Sequence, residues 1–288
     1  MEKQRQTRER QTTLNIFQAI ILGVVEGLTE YIPVSSTAHL LIAQKLLGVS
    51  DPQIVESFTI IVQAGAIIAL IVYFWSDLWN IVTSTLSNLG GVFKFNALPE
   101  NAKMGWYILI ATIPAGMIGF IFNDLVETMF SQPLLHSSIR LGMAAVLMTM
   151  AEFFGKQHTE LKNITWRESL VVGLFQIFAI FPGASRSGST ISGGILMGLN
   201  RKSAARFAML ISAPIMLAAT GYEVLKLFLE GYHTSYLLPI LIGVVTAGIT
   251  GWFSIRWLLK YVQGHSLYPF AFYCVLIAWV SYLFHIFG

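Results

Sequence analysis

Residues 57–76, 104–123 and 261–288 of this chain contain no aspartate, glutamate, lysine or arginine. Each run is long enough to cross a hydrocarbon core of about 30 Å, which takes roughly 20 helical residues. Residues 207–222 and 234–255 read the same way, and 134–154 more weakly, because Arg140 and Glu152 sit near its ends. Inside lipid, a helix satisfies every backbone N–H and C=O within its own segment. Composition agrees: 55% of the chain is apolar and 11% charged, against about a quarter charged in ordinary soluble domains. The expected class is an all-α, multi-pass integral membrane protein.

The net charge of +3 is small and dispersed, which argues against a nucleic-acid partner. The basic tail, residues 1–13, precedes an apolar stretch as in a signal peptide. That stretch, however, holds Glu26 and Glu30 and lacks a small-residue cleavage site, so it is expected to be retained. The single cysteine, Cys274, lies in an apolar span and reads as a packing residue.

The sequence repeats itself at an offset of 150 residues. "GVVEGLTEYIPVSSTAH" begins at Gly23 and "GLFQIFAIFPGASRSGS" at Gly173, so Glu26 faces Gln176, Ser35 faces Ser185 and Ser36 faces Arg186. One residue out of register, "FTIIVQAGAIIALIVYFWSDLW" from Phe58 resembles "FAMLISAPIMLAATGYEVLKLF" from Phe207. Residues 14–156 therefore read as one repeat and 157–288 as a second within a single membrane domain. Each repeat consists of an apolar stretch broken by a Pro-Ser loop, a re-entrant helix pair, followed by three transmembrane helices. An odd number of crossings inverts the second repeat relative to the first, which sets the interrupted helices face to face near the midplane. In this topology Lys94, Lys103, Lys156, Lys162, Arg167, Arg201, Lys202, Arg206, Arg256 and Lys260 share one side, cytoplasmic by the positive-inside rule. The chain ends then lie outside, in tension with Lys3, Arg5, Arg8 and Arg10 of the tail.

Glu26 and Glu30 are four residues apart, so their carboxylates share one helical face. A charge at bilayer depth costs roughly 2.5–3.5 kcal/mol or more. Such a pair is tolerable if a divalent cation bridges it or one member stays protonated. Gly23 and Gly27, on a neighbouring stripe, allow close helix approach. "PVSSTAH" then adds Ser35, Ser36, Thr37 and His39. A serine or threonine becomes a nucleophile when a base is in reach, and His39 is the nearest candidate. Ser35 and Thr37 are expected to help bind phosphate, with N-capping of the helix that follows as the equal alternative.

"PGASRSGST" places Ser185, Arg186, Ser187 and Thr190 in the second break, where Gly183 permits a turn after Pro182 and a helix starts around 187–190. Free N–H groups at that helix start suit an anion, and Arg186 offers a planar fork that grips phosphate bidentately. A bound phosphate would satisfy the arginine and hydroxyls that lipid cannot. An ion pair from Arg186 to Glu26 or Glu30 is the structural alternative, and the two readings overlap.

With these motifs in view, the chain resembles the bacterial undecaprenyl-pyrophosphate phosphatase (bacitracin-resistance protein) family over nearly its whole length. "LGVVEGLTEYIPVSSTAH" and "PGASRSGSTISGGILMGL" look like its two signature regions. Ala38 stands where the family usually has glycine. The resemblance implies that Glu26, Glu30, Ser36, His39 and Arg186 form the catalytic set, with Ser185, Ser187 and Thr190 in the phosphate-binding loop. It also implies hydrolysis of undecaprenyl pyrophosphate, a polyprenyl lipid carrier, assisted by Mg²⁺ or Ca²⁺ at Glu26 and Glu30. The implied setting is the bacterial plasma membrane, with a site open to the extracytoplasmic side. Membrane lipid and a second copy in a homodimer complete the expected partners. "SRSGSTIS" carries no later histidine nucleophile, so the acid-phosphatase-like lipid phosphatases do not fit. A transporter or flippase remains the rival, since inverted repeats around a midplane site suit alternating access. The residues alone leave Ser36, His39 and water open as the attacking group.

Overall fold

Each interrupted stretch begins with the same device. Asn15 accepts the N–H of Gln18 at 2.8 Å while Gln18 reaches back to the N–H of Asn15 at 2.9 Å, a reciprocal cap that starts α1 (Ile16–Tyr31). Thr165 and Glu168, 150 residues on, form the matching box at the start of α7 (Trp166–Ile177). The computed structural model describes residues 14–49, 52–122, 133–178, 184–230 and 237–287. The basic tail, Pro182 and Gly183 lie outside the described residues.

The chain is helical almost throughout. After α1 come α2 (Ser36–Leu46), α3 (Pro52–Tyr73), α4 (Trp75–Ser87), α5 (Glu100–Ile121) and α6 (Pro133–Phe154). The second half repeats the order with α7, α8 (Arg186–Leu196), α9 (Arg201–Glu230), α10 (Leu237–Tyr261) and α11 (Tyr268–Phe287). Among the described residues there is no strand, only an isolated bridge between Thr159 and Leu199. Leu134–Phe154, Arg201–Tyr222, Leu237–Tyr261 and Tyr268–Phe287 are long and apolar enough to cross a bilayer, and Phe58–Tyr73 with Trp75–Ser87 makes a fifth candidate. The chain is a multi-pass membrane protein.

One helix goes beyond the sequence reading. The span at 57–76 does not run straight on: it ends at Phe74, and α4 leaves at 76°. Trp75, Trp79, Val82 and Leu86, one stripe of α4, are all exposed, and Trp75 stacks on Trp79 with ring centroids 5.9 Å apart. Tryptophan on an amphipathic helix belongs at the membrane–water boundary. The spacing was readable, but the uncharged span before it masked the break.

Small residues bring the helices together. A Cβ added to Gly23 would lie 2.5 Å from the Gly243 carbonyl, and one on Gly27 would collide with Thr250, Ala247 and Gly251. The expected role of Gly23 and Gly27 is realised: α1 lies directly on the backbone of α10. Gly173 of α7 meets Ala111 of α5 in the same manner. Helix α3 also packs on α10 and α9 on α5, while α6 lies against α11 and α3 against α9. The packing of α1 on α10 thus has its match in that of α7 on α5, and the packing of α3 on α10 in that of α9 on α5. The main core, with Tyr31, Phe74, Leu141, Met148, Ile191, Phe207 and Ile255, draws on both halves.

Candidate functional site

Helix α1 stops at Tyr31 because Ile32 turns extended and Pro33 offers no N–H to continue the ladder. The chain reverses over residues 32–35 and re-enters as α2. Ser35 caps it from a left-handed conformation, φ 68°, its Oγ accepting the N–H of Ala38 at 3.5 Å. Ser185 does the same for α8, with φ 47° and Oγ accepting from Gly188 at 3.2 Å. Such a conformation costs a residue with a Cβ about 1–3 kcal/mol, and it persists where the surroundings over-determine it. Helix α8 begins at Arg186, just before the expected start. Gly48 and Gly198, at φ 71° and 96°, close α2 and α8 in equivalent ways.

The two loops touch. Ser187 Oγ donates to the Ile32 carbonyl at 3.3 Å, and Gly188 packs toward Pro33. Next to this contact, Arg186 Nη2 donates to Glu30 Oε1 at 2.6 Å, a pair only 15% and 9% exposed. The other oxygen of the same carboxylate, Oε2, accepts the Ser36 hydroxyl at 2.5 Å. Glu26, fully buried one turn earlier on α1, feels the charges of both Glu30 and Arg186. Both of its oxygens lie buried beside the Glu30 carboxylate with no other donor on them, and Nη1 of Arg186 is buried without an acceptor. A carboxylate, a guanidinium and a serine hydroxyl from opposite halves of the chain therefore form one connected group, with a second carboxylate and an unused donor beside it.

The remaining sequence candidates take more local positions. Thr190, almost fully buried, donates back to the Arg186 carbonyl at 2.7 Å, and Ser35 and Ser185 act as caps. Thr37 is half-buried in the first turn of α2. His39 spends both ring nitrogens elsewhere than on the Ser36 hydroxyl: its Nδ1 meets the Ser35 carbonyl at 2.8 Å and its Nε2 the Tyr273 hydroxyl at 2.9 Å. A carbonyl only accepts, so Nδ1 carries a proton, and in the neutral ring Nε2 is then the acceptor facing the Tyr273 hydroxyl. Cys274 is buried as expected and also donates to the Pro33 carbonyl at 3.4 Å. Tyr273 escaped the sequence reading because nothing in α11 marks it; it lies 234 residues from its partner. Among the described residues no three His, Cys, Asp or Glu side chains gather as a metal site.

Comparison with known proteins points the same way as this geometry. A family model described as Bacitracin resistance protein BacA matches residues 19–280. A protein of Chloroherpeton thalassium named undecaprenyl-diphosphatase is 38% identical over 272 residues, covering 92% of this chain and 94% of its own. Proteins of the same name from Geotalea daltonii and Methanobrevibacter smithii are each 36% identical, covering 96% and 94% of this chain and 100% and 98% of theirs. The match spans both broken stretches and every helix that builds the site, so this chain belongs to the bacitracin resistance protein BacA family.

Proposed function

We propose that the chain is a membrane-embedded undecaprenyl-diphosphatase, hydrolysing undecaprenyl pyrophosphate to undecaprenyl phosphate and inorganic phosphate and so returning a lipid carrier to use in cell-wall synthesis. One observation carries this reading: the Glu30 carboxylate holds the Ser36 hydroxyl on one oxygen and the Arg186 guanidinium on the other. That arrangement activates an attacking oxygen next to a phosphate grip. The Ser36 oxygen attacks the terminal phosphorus as its proton passes to Glu30, the bridging P–O bond breaks, and undecaprenyl phosphate leaves. Water then attacks the phosphoserine, releasing inorganic phosphate and restoring the hydroxyl. Arg186 stabilises charge on the phosphoryl oxygens through both steps, leaving the protein mainly positioning and electrostatic work. His39 holds the peptide that carries Ser36.

The donor set fits a divalent cation. Two buried carboxylates side by side, Glu26 with no donor but its neighbour on either oxygen, suit a hard ion that completes its shell with substrate oxygens. Glu26 and Glu30 would hold it, and Mg²⁺ or Ca²⁺ there would neutralise pyrophosphate charge. The two halves are read as inverted repeats, supported by paired caps at an offset of 150 residues and by the exchanged helix packing. The site is assigned to the extracytoplasmic side of the plasma membrane, opposite the face that gathers most loop lysines and arginines.

The test uses the full chain in detergent with a soluble short-chain prenyl pyrophosphate. Release of inorganic phosphate that stops with chelator supports the proposal, as does ³²P trapped on wild type but not on Ser36→Ala. Tight binding without any turnover favours the transporter reading instead, and metal-independent turnover removes the cation from the scheme.

A further inference from the structure

We propose that Tyr273 is a positioning residue for the phosphoryl-transfer site, acting through His39 on the peptide that presents Ser36. The inference rests on the phosphatase reading above. It begins from a difference between the two equivalent loops.

Ser35 and Ser185 are both left-handed caps, and each precedes a site residue, Ser36 or Arg186. The carbonyl of the cap shares a peptide plane with the next residue's N–H, so whatever aims the carbonyl aims that residue. At Ser185 the helix ladder does this: the Ser189 N–H donates to the Ser185 carbonyl at 2.9 Å. At Ser35 the corresponding bond from the His39 N–H is stretched to 3.4 Å. The short contact to the Ser35 carbonyl comes instead from His39 Nδ1, at 2.8 Å. In this loop an imidazole has taken over the work of the backbone.

An imidazole can do that only if its ring is fixed. A flipped ring would put Cδ2–H in place of Nδ1–H, and the tautomer with its proton on Nε2 would turn a lone pair toward the Ser35 carbonyl; either breaks the bond. Tyr273 opposes both. Its hydroxyl lies 2.9 Å from Nε2, where donation to the ring lone pair favours the Nδ1–H form, while its ring stacks on His39 with centroids 5.5 Å apart and planes 13° apart. The next residue, Cys274, donates to the Pro33 carbonyl, and Lys45 of α2 donates to the Phe284 carbonyl at 3.0 Å. Helix α11 thus grips the turn and α2 at several points. Of these residues, Tyr273 is 40% exposed, whereas Phe270, Ala271 and Cys274 of the same helix fill the core. Its hydroxyl is not needed to complete the interior; its contact is with the histidine.

The experiment uses the full chain in detergent and the substitution Tyr273→Phe, which keeps the stacked ring and removes only the O–H. The expected result is a fall in kcat of about fivefold to tenfold, the kinetic equivalent of one net hydrogen bond, with KM unchanged. In protein labelled with ¹⁵N-histidine, the ring signal missing from His39→Ala should report the Nδ1–H tautomer in wild type and a mixture in Tyr273→Phe. Because Tyr273 acts through His39, adding Tyr273→Phe to His39→Ala should slow the enzyme no further. An unchanged kcat, an unchanged His39 tautomer or additive slowing in the double variant would each overturn the proposal. A wild type that releases no phosphate would reject the phosphatase reading alone, and the nitrogen spectrum would still decide whether Tyr273 sets the ring.

Discussion

At the scale of single residues, the site depends on one carboxylate serving two donors. Glu30 neutralises Arg186 and holds Ser36, so neither neighbour can be changed without altering the other's environment. Arg186→Ala removes the phosphate grip and leaves Glu30 a buried, half-partnered charge; kcat should fall about 10²–10³-fold, the loss typical of removing one transition-state donor. Arg186→Lys keeps the charge but loses the fork, since an ammonium cannot serve Glu30 and phosphate in one plane. Phosphate-release assays should find it closer to alanine than to wild type. Equal activity of the lysine variant and wild type would show that only charge matters. Glu26→Gln separates the two acids: it keeps the Glu30 pair and removes the carboxylate beside it. Turnover should become insensitive to chelator at a much reduced level. The residue types in both motifs were legible in the sequence. That Ser36 bonds Glu30 rather than His39 was not, because the choice depends on how the turn at residues 32–35 aims the start of α2.

At the scale of elements, the broken helices hold their places through backbone contact. Gly27 of α1 lies against Ala247, Thr250 and Gly251 of α10. Gly27→Val inserts a branched side chain where backbone stands, and overpacking of this kind typically costs about 1–3 kcal/mol. Glu26 and Glu30 lie on the same helix, so the damage should reach the site. A thermal-shift measurement should show a lower Tm together with reduced turnover. A variant as stable and active as wild type would mean that α1 can move away from α10 at no cost. The glycines were legible as small-residue stripes; their partner helix was not, because several helices offer similar stripes. The bend at Phe74 was missed for a related reason: an uninterrupted apolar run records length and says little about direction.

For the whole molecule, an ion-pair lock ties together segments outside the Glu30–Arg186–Ser36 group. Glu152, its side chain 1% exposed, accepts from Arg201 Nε and Nη2 at 2.8 and 2.5 Å and from the Leu267 N–H at 2.7 Å. It joins the end of α6 to the start of α9 and the turn into α11. Glu152→Ala leaves those donors without their acceptor, and breaking a buried pair costs about 3–5 kcal/mol, less here because Arg201 is 30% exposed. Chemical denaturation should show the loss, while kcat of the surviving folded protein stays near wild type; a large fall in kcat would tie the lock to catalysis. Read from the sequence, Glu152 was only a blemish at the end of a span. The chain by itself determined that it is helical and membrane-embedded, and which side chains lipid could not satisfy alone. Those properties follow from local composition and spacing, because each helix closes its own hydrogen bonds. Tertiary structure decided which polar groups satisfy one another: Glu30 with Arg186 and Ser36, His39 with Tyr273, Glu152 with Arg201. Such pairings join residues from 6 to 234 positions apart, and a lone buried charge or donor does not name its partner until the helices pack and exclude every other choice.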